Sequence, residues 1–145
     1  SRTSKYVNLD LLVHDIDVSK YLLNSNLKSR KIIKHESNKD GVVDYTILTG
    51  CYDNIEETVL ISEASWSEPE KIRTLEIVCN EGKYCLDYIK QSLKYISYTG
   101  KTHEIEIKNS EPLYEELVQF KQFVAGQTPP GCTVEEAIRA LKESS

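Results

Sequence analysis

The amino-acid sequence predicts an α+β fold, a mostly antiparallel open sheet of about six or seven strands with helices on one face. Three observations carry that reading: an apolar stretch with helical spacing opens the chain, β-rich runs joined by short turns fill the middle, and two capped amphipathic stretches close it. Short links favour antiparallel neighbours, because a parallel pair needs a crossover of about a dozen residues or more.

Residues 8–23 form the opening helix, with Asn8 in position to cap it and Asn24-Ser25-Asn26 to end it. At ~100° per residue, Asp10, His14, Asp17 and Tyr21 fall within about 60° of one another. Leu9, Leu11, Leu12, Val13, Ile16, Val18, Leu22 and Leu23 take most of the remaining circumference, so the helix is expected to be largely buried. Two readings of the stripe stand: a site facing a cavity, or the wet side of a half-buried amphipathic helix. Asp15 lies in the apolar arc, where a charge is costly unless paired, so an Arg or Lys is expected to meet it.

Residues 31–36 read as a strand leading to a turn at 37–41. Runs 42–49, 58–66, 71–80 and 83–88 follow as strands, separated by connections at 50–54, 68–70 and 81–82. Runs 93–98 and 103–108 make a last hairpin around Thr99-Gly100-Lys101-Thr102. Ser110 is placed to cap the next helix, with Pro112 in its first turn, Leu113, Leu117, Phe120 and Val124 as its apolar face, and Gly126 as its stop. Thr133 and Glu136 form a capping box for the last helix, whose inner face would be Val134, Ala137, Ile138 and Leu141. Both helices are expected to pack on a sheet, leaving the other sheet face to solvent or to a partner.

A length of 145 residues suits one domain, and 39% hydrophobic with 28% charged residues is ordinary globular composition. The net charge of -5, without a basic block, argues against nucleic acid as a partner. No apolar run approaches the ~20 residues of a membrane span, and the start does not look like a signal segment, so we expect no membrane association. Cys51, Cys79, Cys85 and Cys132 show no Cys-x-x-Cys spacing, and a turn at Glu81-Gly82 would put Cys79 and Cys85 on opposite faces. Free thiols and a reducing cytoplasm are the expectation. The chain has no Met and begins Ser-Arg-Thr-Ser, from which we expect a piece of a longer protein.

Asp10 and His14 are spaced as a carboxylate that could orient an imidazole for proton transfer near neutral pH. A metal is not expected, since His35 and His103 fall in or beside strands and give no third ligand. The His14-Asp15 dipeptide is also similar to metal-dependent phosphohydrolases of the His-Asp type, but those are all-helical. Lys71 and Arg73, alternate residues at a strand start, would project from one face and suit a phosphate or carboxylate, or serve as solvated edge charges or a partner for Asp15. The sequence has neither a Gly-x-Gly-x-x-Gly nor a Walker loop.

Asp10-x-x-x-His14-Asp15-x-Asp17 resembles the helical signature of the substrate domain in the glucose-fructose oxidoreductase, inositol dehydrogenase and rhizopine-catabolism superfamily (Gfo/Idh/MocA). The resemblance continues in order through Ala64-Ser65-Trp66, Pro69, Lys71-Ile72-Arg73-x-Leu75, Glu81-Gly82, Asp87-Tyr88, Glu111-Pro112-Leu113 and the run 135–141. Within the superfamily it is most similar to sugar-nucleotide dehydrogenases of the UDP-N-acetylglucosamine type. The resemblance implies an oxidoreductase acting on a sugar or sugar-nucleotide hydroxyl, with His14 as acid/base and Asp10 beside it at the substrate; Asp17, Lys71 and Arg73 are our own candidates for further substrate contacts. It implies NAD or NADP, bound mainly by an N-terminal Rossmann domain that this chain lacks, together with the lysine of a Glu-Lys-Pro motif. The chain would then be the C-terminal substrate-binding and oligomerisation domain over residues 1–145, inactive alone, and a homodimer or homotetramer through its open sheet face. Lys5-Tyr6-Val7-Asn8 stands where glycines commonly precede the helix. A non-catalytic oligomerisation or ligand-binding module of the same fold is the alternative.

Overall fold

Among the described residues, 6–36, 41–55, 57–108 and 110–145, the computed structural model contains seven antiparallel strands and three α-helices. In chain order these are a π-helical turn Asn8–Leu12 continuing into α1 (Val13–Leu23), β1 (Leu27–Glu36), β2 (Val43–Tyr52), β3 (Val59–Ser65), β4 (Thr74–Cys79), β5 (Gly82–Asp87), β6 (Ser92–Ser97), β7 (Thr102–Ile105), α2 (Pro112–Val124) and α3 (Val134–Glu143). The α+β class and the antiparallel pairing are those expected from sequence. The strands are hydrogen-bonded in two sheets, β1-β2-β3 and β4-β5-β6-β7. The chain divides into two compact units: residues 1–67 with 132–145, and residues 68–131.

The first unit has a layered core. β2 is the central strand, and Thr46, Leu48, Gly50 and Tyr52 alternate toward one face, where all four are buried. The register sets Ile32, Leu48 and Ser62 in one cross-strand row and Arg30, Gly50 and Leu60 in the next. Val7, Leu12 and Ile16 from the opening helix and Ala140 from α3 complete this core with Val43, Leu48 and Ala64. Gly50, read from sequence as part of a connection, lies inside β2. A Cβ there would meet Leu27 Cδ2 at 2.9 Å, next to a register shift between Leu27 and Ser29, so the glycine permits close strand approach at a bulge. On the opposite face of the sheet Ile33, Val59 and Ile61 are exposed. The turn expected at 37–41 falls mostly outside the described residues.

The opening helix differs from expectation in two ways. Asn8 does not cap it; the residue lies within the π turn, is 2% exposed, and donates its Nδ2–H to the Ser144 carbonyl at 2.6 Å. The helix is also only half buried. Leu12 and Ile16 are fully enclosed, while Leu9, Leu11 and Leu22 are exposed. Asn24 ends it in the left-handed region, with φ 47°.

The second unit is a four-stranded meander whose first hairpin turns at Asn80-Glu81, one residue earlier than expected, so that Cys79 faces Gly82 and Cys85 faces Glu76. The two thiols still lie on opposite faces, because moving the turn by one residue changes each partner by two and preserves parity. All four cysteines are free. Lys71 and Arg73 precede β4 in irregular chain, not in a strand, and both are exposed. α2 is capped by Glu111, whose Oε2 accepts from the Tyr114 N–H at 2.9 Å, and not by Ser110. Pro112 occupies the first helical position, and Gly126, with φ +70°, follows the end.

The capping box of α3 is present: Thr133 Oγ1 accepts from the Glu136 N–H and Glu136 Oε2 accepts from the Thr133 N–H. The expected inner faces of the last two helices are not buried. Leu113, Leu117, Phe120 and Val124 of α2 are exposed, as are Val134, Ile138 and Leu141 of α3, which buries Ala140 and Glu143 instead. No helix among the described residues is long and apolar enough to cross a membrane. The phase of the opening helix sets a stability contrast: Ile16→Ala should cost about 2–5 kcal/mol and Tyr21→Ala no more than about 0.5 kcal/mol, read by urea unfolding.

Candidate functional site

Asp10 and His14 lie on the solvent side of the opening helix, both exposed, and they belong to the first unit. Asp10 sits in the π turn, where the wider winding departs from the α-helical phase assumed in the sequence reading. Its Oδ2 accepts a hydrogen bond from Trp66 Nε1–H at 3.2 Å. Trp66 continues the inward alternation of Ser62 and Ala64 along β3, and its ring packs against the core cluster. Sequence reasoning missed this partner, although the alternation was legible: 62, 64 and 66 share a face.

Four residues below that contact, a second side chain of the same strand meets the helix. Ser62 Oγ–H donates to Asp15 Oδ2 at 2.5 Å, a hydroxyl partner that the sequence reading did not name. Ser62 is 6% exposed and Asp15 half-buried, and a hydroxyl that donates to a carboxylate there offsets part of the cost of its burial. β3 thus grips the helix at two carboxylates.

The rest of the stripe separates. Among the described residues no hydrogen bond reaches His14, and Tyr21 is 84% exposed. Asp17 lies toward the start of α3: burial and then the Asp17 and Glu136 carboxylates push the Cys132 thiol up from its ordinary value, against the opposing pull of Lys20. Lys20 in turn pairs with the buried Glu143 of α3 at 3.8 Å. In the second unit the Arg73 guanidinium lies 5.3 Å from the centroid of the Tyr88 ring, a cation–π distance, and Lys71 is solvent-exposed.

His35 is engaged with Asp44, Nδ1 to Oδ1 at 3.2 Å, and Ser67 Oγ–H donates to the other oxygen of Asp44. His103 stacks with Tyr95 at 6.3 Å between centroids. Among the described residues no three His, Cys, Asp or Glu side chains are grouped to hold a metal ion. Every named ladder among the described residues is antiparallel, and the sequence contains no Gly-x-Gly-x-x-Gly.

No family model and no curated protein matches the chain. Solved structures do. UDP-N-acetylglucosamine 3-dehydrogenase from Acidithiobacillus ferrooxidans superposes with a TM-score of 0.85 at 20% identity, over 95% of this chain and 44% of that one. Biliverdin reductase from Synechocystis, solved with biliverdin and NADP+, gives 0.65 at 11% identity over 92% and 42%. An NAD-binding protein from Listeria innocua gives 0.68 at 19% identity over 93% and 42%. The chain therefore shares its fold with a part of each of these proteins, and it spans under half of their length.

The position of Asp17 is open to a chemical check. Asp17→Asn should lower the Cys132 thiol toward its ordinary value and speed its alkylation by iodoacetamide near pH 8, with mass spectrometry resolving the site; an unchanged rate would separate the two side chains.

Proposed function

We propose that this chain is the C-terminal substrate-binding and catalytic-helix domain of an NAD(P)-dependent dehydrogenase that oxidises a hydroxyl of a sugar or sugar nucleotide. The observation that carries the reading is the placement of the Asp10/His14 pair on the open side of the first helix, within a fold shared with a UDP-N-acetylglucosamine 3-dehydrogenase. Oxidising an alcohol removes a proton from oxygen, and an imidazole is suited to accept it near neutral pH. His14 takes that role, and Asp10 holds the substrate beside it. Lys71 and Arg73 serve an anionic portion of the substrate, Arg73 with the bidentate geometry of guanidinium, and Asp17 is a further substrate contact.

The hydride acceptor is NAD or NADP, a cofactor that the residues of this chain do not cradle. It belongs to an N-terminal Rossmann domain, and the chain alone transfers no hydride. The enzyme works in a reducing cytoplasm, which suits four free thiols. Two or four copies associate through the open sheet face, where Ile33, Val59 and Ile61 are exposed.

The lack of a hydrogen bond to His14 among the described residues favours, as a second reading, a ligand-binding module that keeps the fold without the chemistry. Substitution separates the two. In the protein that carries the dinucleotide-binding half, His14→Ala should lower kcat for hydride transfer by about a hundredfold to ten-thousandfold, and unchanged turnover would remove His14 from its role. Sedimentation should find a dimer or tetramer that Ile61→Lys shifts toward monomer; a monomeric parent at high concentration would remove the open face from assembly.

A further inference from the structure

We propose that Trp66 is a positioning residue that fixes the Asp10 carboxylate through its indole N–H. The geometry rests on two anchored ends. The ring packs against the core cluster, and its backbone N–H donates to the Asp44 carbonyl at 2.8 Å, so the indole is held to the sheet at both backbone and side chain. The acceptor lies on the π turn, whose buried neighbours Asn8 and Leu12 fix the backbone on either side of Asp10. An exposed aspartate on a helix otherwise exchanges rotamers freely, and the donor at 3.2 Å selects one.

The chemistry of the pair is directional. Indole only donates, so it takes one lone pair of Oδ2 and competes for nothing else at the site. No other hydrogen bond reaches Asp10 among the described residues, which leaves Oδ1 to accept from a hydroxyl or amide of a ligand. Trp66 thereby aims a carboxylate without touching the reacting atoms. The inference rests on the dehydrogenase reading only where turnover is measured.

Trp66 is the sole tryptophan, so the chain has one indole N–H resonance. Asp10→Ala should move that resonance upfield and speed its exchange with solvent, while His14→Ala leaves it in place; a resonance indifferent to Asp10→Ala overturns the assignment, whatever the protein's activity. The second arm is a double-mutant cycle in the protein with its dinucleotide-binding half, using UDP-N-acetylglucosamine. Trp66→Phe keeps the packed ring and removes the donor. It should lower kcat/KM about tenfold in the parent, the loss of one hydrogen bond to a charged group, and have no further effect in the Asp10→Ala background. An equal loss in both backgrounds would make Trp66 a structural residue only. Should Asp10→Ala and His14→Ala leave turnover untouched, the dehydrogenase reading falls, and the indole resonance still decides the role of Trp66.

Discussion

The hydrogen bond from Asn8 to the carbonyl of Ser144 joins residues 136 apart and closes the first unit, because it ties the beginning of the opening helix to the end of α3. A buried amide left without that acceptor would cost about 1–3 kcal/mol, so the contact selects strongly for one helix phase. Arg30 supports the same end of α3 by donating to the Lys142 carbonyl, and Arg139 reaches back to Asn26 at the helix exit. The last ten residues therefore act as a strap on the first helix. Lys20 and Glu143 add attraction without a hydrogen bond, at a separation of 3.8 Å, and Glu143 Oε2 is buried with no hydrogen-bond partner among the described residues. That pair orients more than it stabilises, since the desolvation of two charges offsets most of their attraction.

With the phase fixed, the positions of the carboxylates follow. Leu12 and Ile16 face the sheet, and burying each contributes about 1.5–3 kcal/mol. Asp15 is then held half-buried over β3, where Ser62 donates to it. Asp10 reaches the end of the same strand at Trp66. The grip on two carboxylates by residues of one strand face leaves His14 between them on the open side. The helix is thus held through its buried face and contacted at Asp10 and Asp15, while the imidazole of His14 is exposed.

Much of this was legible in sequence wherever a local rule sufficed. Strand runs, the Thr133–Glu136 capping box, the left-handed stop at Asn24 and the parity of the cysteines depend on short-range chemistry. The misreadings share a different cause. Asn8 looks like a cap because the residue type fits, but a cap needs a free helix end, and the backbone was already helical at Val7. The stripe assumed ~100° per residue, which the π turn breaks at Asp10. The apolar faces of α2 and α3 were assigned to a sheet because amphipathicity points toward whatever covers a helix; the pattern names a covered face and not the surface that covers it.

The division of the chain into two units bears on how the proposed chemistry is organised. Asp10, His14 and Trp66 are all contributed by the first unit, and the contact between Asp10 and Trp66 is made wholly within its own core and sheet. Lys71 and Arg73 lie just inside the second unit, in irregular chain that follows Trp66 by only a few residues. Arg73 is braced by the Tyr88 ring through a cation–π contact that leaves the planar guanidinium edge able to donate. The proposed proton transfer and carboxylate placement therefore draw on residues of the first unit, and the proposed recognition of an anionic group on residues of the second. On the proposed roles, Lys71 and Arg73 act on the substrate from the second unit, while the Asn8–Ser144 bond holds the helix that carries Asp10 and His14. The buried amide of Asn8 and the apolar core of the first unit thus act on the same helix that carries Asp10 and His14.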